Sequence, residues 1–237
     1  MSEDRRAGGR TDPPARGRGG RPAVTSTAEV LAAARRLIER DGWQRLTVRR
    51  LAQELGIGPT TIYRHVRDRE DLLVQLISAD AASLPRPELP EDPRDRIVTA
   101  TVALRDALRA LPWAAEVLTV DGFVGRLSDD ALWFVEAILD GARRCGADEA
   151  AAVALFRNLW YLTVGEILVR ARSDGAPPGA LDRSRLIADD LDPFRGRDAA
   201  KVPRLAEIGP RWPALAAVDT FPAGVRALVD GALGRPD

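Results

Sequence analysis

The sequence predicts an all-α protein with an N-terminal three-helix unit containing a helix-turn-helix, followed by a larger helical domain. Three observations carry this. Hydrophobic residues make up 45% of the chain and aromatics only 5%, so Leu, Ala and Val build the core, a composition that favours helices over strands. Apolar side chains recur at i, i+3, i+4 spacing in segment after segment. Gly and Pro fall between those segments, where helices stop and start. The 237 residues suffice for one small domain plus a larger one.

Residues 1–24 are rich in Gly, Arg and Pro and nearly free of large apolar side chains. Such a segment cannot bury enough surface to offset its ordering entropy, so it reads as a disordered tail. Its RGRGGRP, Arg16 to Pro22, resembles part of an AT-hook. Order is expected from Ser26, where STAE has capping-box spacing. Val30, Ala33, Ala34, Leu37 and Ile38 form the stripe of a first helix that ends at Gly42. Thr47 caps a second helix that buries Leu51, Ala52 and Leu55. Gly56-Ile57-Gly58 is a tight turn, and Pro59 suits the first turn of a third helix, where a missing N–H costs nothing. That helix has about seven residues and buries Ile62 and Val66. Asp68 caps a fourth, striped by Leu72, Leu73, Leu76 and Ile77.

A helix of about seven residues is not stable alone. Held by neighbours, it leaves its outer face free for contact. Two short helices joined by a Gly-containing turn make a helix-turn-helix, whose second helix enters the DNA major groove. With Ile62 and Val66 inward, Thr60, Thr61, Tyr63, Arg64 and His65 stand outward. Charge agrees: residues 1–69 hold 15 Arg against 8 acidic residues, while the whole chain is neutral. The front is therefore basic, the back acidic, and double-stranded DNA is the expected partner of the front.

The Pro-rich LPRPELPEDP, Leu84 to Pro93, separates a unit at 25–84 from a domain at 93–237. Helices are expected near 94–111, 112–119, 128–144, 148–173, 203–208 and 221–233. The segment 148–173 is apolar nearly all round and should be buried on most sides, in a core or in a core plus a subunit contact. Residues 174–200 are polar and turn-rich and read as a long loop. Val225, Leu228, Val229 and Ala232 form a stripe suited to pairing with a symmetry mate. Trp113, Trp133, Phe134, Phe156, Trp160 and Tyr161 fall on neighbouring helical segments, as an apolar pocket requires, and Glu166 suits a cationic ligand there.

Several classes are not expected. The only His is His65, in the helix-turn-helix, and no nucleophile–base set, metal-ligand spacing or Gly-rich phosphate loop appears, so neither catalysis, nor a metal, nor a cofactor is expected. No apolar run approaches the roughly 20 residues that span a bilayer, and no basic-then-apolar leader opens the chain, so a cytoplasmic location is expected.

The stretch GWQRLTVRRLAQELGIGPTTIYRHVRDREDLLVQL, Gly42 to Leu76, resembles the TetR family of bacterial transcriptional regulators. Trp212 to Leu233 is similar to the final helix of one subgroup. The resemblance implies a homodimeric repressor that binds a palindromic operator through its N-terminal helices. It also implies a C-terminal domain that dimerises and holds a small-molecule effector, whose binding respaces the two heads. By residue, it puts Tyr63 and His65 at the phosphate backbone, with Pro59, Thr60 and Thr61 pointing into the groove. Arg49 would reach a guanine or phosphate, and Thr47 and Arg69 would meet phosphates, with Arg64 on the same surface. The alternative is a DNA-binding factor or activator without a small-molecule effector.

Overall fold

The computed structural model describes residues 25–120, 122–174 and 194–234, and every regular element among them is helical. The tail at 1–24 and most of the loop at 174–200 lie outside the described residues.

Eleven α-helices occur among the described residues. The head comprises α1 (Thr27–Asp41), α2 (Val48–Leu55), α3 (Pro59–Ile62) and the start of α4 (Arg69–Ser83). The body comprises α5 (Pro93–Arg109), α6 (Pro112–Val117), α7 (Asp129–Arg144), α8 (Glu149–Asp174), α9 (Pro203–Ile208), α10 (Trp212–Ala216) and α11 (Phe221–Ala232).

The helix starts follow the expected chemistry. Ser26 and Glu29 close a reciprocal capping box, which holds the Glu29 carboxyl below its ordinary pKa through hydrogen bonds from Ser26. Thr47 accepts from the Arg50 N–H and Asp68 from the Asp71 N–H. Gly56 takes a left-handed conformation (φ 66°), so its N–H reaches the Gln53 carbonyl while the Ile57 N–H reaches Ala52. This double closure stops α2 abruptly and turns the chain into α3.

Two cores hold the chain. One joins α1, α2, Ile62, Val66 and α4 to Leu108, Ala114, Ala115, Val117 and Leu118 of the body, and it includes Ile167 of α8. The Pro-rich connector therefore separates sequence, not packing. The other core lies among Ile97, Ala100, Ile138, Leu155, Leu159, Phe221, Val225 and Val229. At its centre α5 and α7 approach so closely that a Cβ added at Gly141 would lie 2.6 Å from Ile97 Cγ1 and 2.9 Å from the Pro93 carbonyl oxygen.

Three sequence expectations change. Half of the α11 stripe is taken up inside the chain: Val225 and Val229 are fully buried, while Leu228 is half-buried and Ala232 exposed. α8 is not buried on most sides within the chain: Ala152, Leu155, Leu159 and Ile167 are core, but Val153, Tyr161 and Val169 are exposed. Glu149–Ala171 is also, contrary to the sequence expectation, long and apolar enough to cross a membrane by length and composition. Only 33% of its most apolar window is buried inside the chain, and length and composition alone do not make it a membrane span.

Ion pairs fasten α11 to α5. Arg94 meets Asp230, Arg226 meets Asp95, and buried Arg105 donates to both oxygens of Asp219 at 3.0 and 2.9 Å. The Asp219 carboxyl sits below its ordinary pKa, chiefly because it accepts from the Phe221 N–H, with Arg105 adding to the effect.

Candidate nucleic-acid interface and effector cavity

The regular α-helix of α3 has only four residues, Pro59–Ile62, and helical hydrogen bonding continues less regularly through Val66. Ile62 and Val66 are buried at 0% and 2% exposure. Pro59, Thr60, Tyr63 and Arg64 are exposed, and Thr61 and His65 half-buried. Thr47 and Arg49 on α2 are exposed as well. The Tyr63 side chain has no hydrogen-bond partner among the described residues, and the residue is 56% exposed. The surface thus offers hydroxyls, an imidazole and two guanidinium groups on two short helices.

Residues beyond the motif hold this surface. Thr27 Oγ1 lies 3.0 Å from His65 Nδ1, orienting the ring from the start of α1 and leaving Nε2 without a partner among the described residues. Gln75 of α4 donates to the His65 carbonyl and to Asp71. The Asp71 carboxyl is pushed up by burial, but hydrogen bonds from Arg67 and Gln75 outweigh this and hold it below its ordinary pKa. The links to His65 have no spacing signal, because Thr27 is 38 residues and Gln75 10 residues away from it.

Arg69 differs from its neighbours. Its Nε donates to the Leu46 carbonyl at 2.8 Å and its Nη2 to the Trp43 carbonyl at 2.9 Å, while the guanidinium covers the Trp43 ring. The fork that a phosphate would use is largely occupied inside the chain. Arg69→Lys should therefore lower unfolding stability by about 1–2 kcal/mol, since one ammonium cannot reach both carbonyls and also stack. Urea unfolding measures this. An unchanged midpoint would return Arg69 to a purely DNA-facing role.

The seven expected effector residues separate. Phe134, Phe156 and Trp160 line one apolar cavity of about 90 Å³, together with residues of α4, α5 and α6. Trp113 lines a different cleft, between head and body, of about 440 Å³. Trp133 packs edge-on against Phe134, with Arg86 over its ring. Tyr161 is exposed on α8, where Arg157 donates to its hydroxyl, and Glu166 pairs with Arg170 one turn on. None of these last three lines the cavity. The reason is helical phase: on α8, Phe156 and Trp160 share a face that Tyr161 and Glu166 do not.

At 90 Å³ the core cavity is smaller than the ~300–1,000 Å³ of typical ligand pockets. Its walls are apolar except for Asp80. Cys145 lies elsewhere, and burial raises its thiol pKa, which keeps it protonated and disfavours redox chemistry.

The head meets the body through side chains that no motif marks. Trp43 Nε1 and Gln44 Nε2 donate to the same oxygen of Glu116 on α6, at 2.7 and 3.0 Å. Arg35 of α1 donates from Nε to Asp80 Oδ1 at 2.9 Å. α4 runs between them, from Arg69 at the head to Ile77 and Ala81 at the cavity.

Residues 30–76 match the family model for bacterial regulatory proteins of the tetR family. An HTH-type transcriptional regulator of Saccharopolyspora erythraea is 32% identical over 139 residues, 58% of each chain. One from Staphylococcus aureus is 40% identical over 47 residues, 20% of this chain and 25% of the relative. The chain thus spans between a quarter and three-fifths of the length of these curated relatives. Among solved structures, Streptomyces coelicolor ActR in complex with actinorhodin aligns with a TM-score of 0.71 at 22% identity, covering 89% of this chain and 96% of ActR. Mycobacterium smegmatis BioQ aligns with a TM-score of 0.61 at 25% identity, covering 90% and 100%. BioQ with its double-stranded DNA operator aligns with a TM-score of 0.58 at 23% identity, covering 89% and 99%.

Proposed function

We propose, from the premise that this chain is a member of the tetR family of bacterial regulatory proteins, that it is a DNA-binding transcriptional regulator working as a homodimeric repressor in the cytoplasm. The reading continues that a small-molecule effector releases it from a palindromic operator. Pro59, Thr60 and Thr61 enter the major groove. Thr61 meets a base edge or a thymine methyl, and Arg49 a guanine or phosphate. Thr47, Tyr63, Arg64 and His65 hold the phosphates. Arg69 positions the head rather than touching DNA.

The observation that carries the reading is α4, one helix fastened to the reading head at Arg69 and lining the core cavity with Ile77 and Ala81. An effector larger than 90 Å³ must part α4 from α7 and α8 to enter. It therefore prefers the parted state, and that differential affinity biases the head away from its operator spacing. The relatives point the same way: ActR is described with actinorhodin and BioQ with an operator. The exposed apolar face of α8, with Val153, Tyr161 and Val169, suits a second copy better than α11 does.

The small cavity favours a second reading, a DNA-binding factor that responds to no effector. In vitro selection of genomic fragments at moderate salt tests both. A sharp, partly palindromic site is expected, and compounds made or handled by the neighbouring genes should then quench the body tryptophans and weaken that binding. Diffuse, salt-sensitive enrichment would sink the operator reading. A sharp site with no responsive compound would favour the second. A monomer by sedimentation at micromolar concentration would reject the dimer.

A further inference from the structure

The cleft between head and body is a separate feature from the core cavity. It holds about 440 Å³ and lies between the end of α1 with Trp43 and Gln44 on one side, and Leu111 to Glu116 on the other. Asp80 and Leu111 belong to the walls of both spaces.

Charge in the cleft is unbalanced. Its walls carry Glu39, Asp80 and Glu116 against one cation, Arg35. That guanidinium is committed to Asp80 Oδ1. Asp80 Oδ2 is buried without a hydrogen-bond partner. Glu116 accepts from two neutral donors and has no cationic partner among the described residues, and Glu39 has neither a hydrogen bond nor an ion pair there. Three carboxylates near one paired guanidinium leave an excess of negative charge along the cleft, with Asp80 and Glu116 half-buried and Glu39 exposed, which favours binding a cation. The walls also supply aromatic faces. One face of the Trp43 ring is covered by Arg69, while Trp113 has no cation over it among the described residues. An indole beside carboxylates is the combination that holds an organic ammonium, through ring quadrupole and ion pair together.

We propose that this cleft binds a small organic monocation, an ammonium carried on a flat apolar ring. The ring packs between Trp113, Leu111 and Ile38, and the ammonium lies between Glu116 and Glu39. The ligand touches α1 on one side and α6 on the other, so it reinforces the bridge that Trp43 and Gln44 already make to Glu116. This site does not depend on the core cavity or on operator release.

Isothermal titration of the full chain with 2-naphthylmethylammonium and its neutral counterpart 2-naphthylmethanol tests this. The ammonium should bind at least about tenfold more tightly than the alcohol. Glu116→Gln, which keeps an oxygen for Trp43 Nε1, and Glu39→Gln should each weaken the ammonium about five- to tenfold and leave the alcohol unchanged. Ala131→Leu, which fills the core cavity, should alter neither. Equal affinity for the two probes, or no binding of either at millimolar concentration, overturns the proposal. So does loss of the ammonium in Ala131→Leu, which would put the ligand in the core cavity and leave the effector reading standing.

Discussion

Tyr63→Phe combined with His65→Ala should, on the proposed reading of a dimer whose Tyr63 and His65 meet phosphates, lower the affinity for the operator by about a thousandfold at fixed salt. Each protomer loses two hydrogen bonds to phosphates, each contributing about 1 kcal/mol, and two protomers double the loss to about 4 kcal/mol. The Tyr63 hydroxyl has no partner inside the chain among the described residues, so removing it costs the fold little. His65 makes one internal side-chain hydrogen bond, to Thr27. The unfolding midpoint should therefore move far less than the affinity does. Fluorescence anisotropy with the selected operator, beside thermal unfolding, separates the two effects. A double variant that holds the operator as tightly as the wild type would show that the groove assignment is wrong.

Gly141→Ala should destabilise the body by about 2 kcal/mol, although helix propensity alone argues the opposite. In a helix interior Ala is favoured over Gly by about 1 kcal/mol. Against that, the new methyl would sit 2.6 Å from Ile97 Cγ1 and 2.9 Å from the Pro93 carbonyl oxygen. The Ile97 side chain is fully buried and the carbonyl is backbone, so neither yields easily. Overpacking of this kind costs about 1–3 kcal/mol, and here two neighbours must move at once. Gly141→Leu should prevent α5 and α7 from closing at all. Chemical denaturation of the two variants measures the effect. A Gly141→Ala protein as stable as the parent would mean that the two helices slide apart at little cost.

The head was legible because its signals are local. A Ser–Glu pair three apart, a glycine after an apolar helix, a proline opening the next: each acts within one turn of chain, and the structure has Ser26, Gly56 and Pro59 in those roles. Body helix limits followed for the same reason, with Pro93 and Pro112 at helix starts. What was not legible depends on partners far apart in sequence. Trp43 and Glu116 are 73 residues apart, and Arg105 and Asp219 are 114 apart. Helical spacing shows that a face is apolar but not what covers it. The α11 stripe accordingly looked free when Val225 and Val229 were already enclosed by α5 and α8. The aromatic residues of the body came together only in part for a related reason: Phe134, Phe156 and Trp160 line the cavity, but the helical rotation of about 100° per residue turns Tyr161 away from it.

The first core runs without a break from Val30 in α1 to Leu118 and Ile167 in the body. Its thermodynamic consequence is cooperativity. Were the head cut off after residue 84, Leu37, Leu73 and Ile77 would lose the share of their common core that Leu108, Ala114, Ala115, Val117, Leu118 and Ile167 supply. The three-helix unit is thus not an autonomous foldon, and heat or denaturant meets a single transition that includes it. Any compound that binds the native body raises the melting temperature of the DNA-reading surface along with it. Signals between the two regions then travel as shifts in one shared equilibrium and need no dedicated route of side chains.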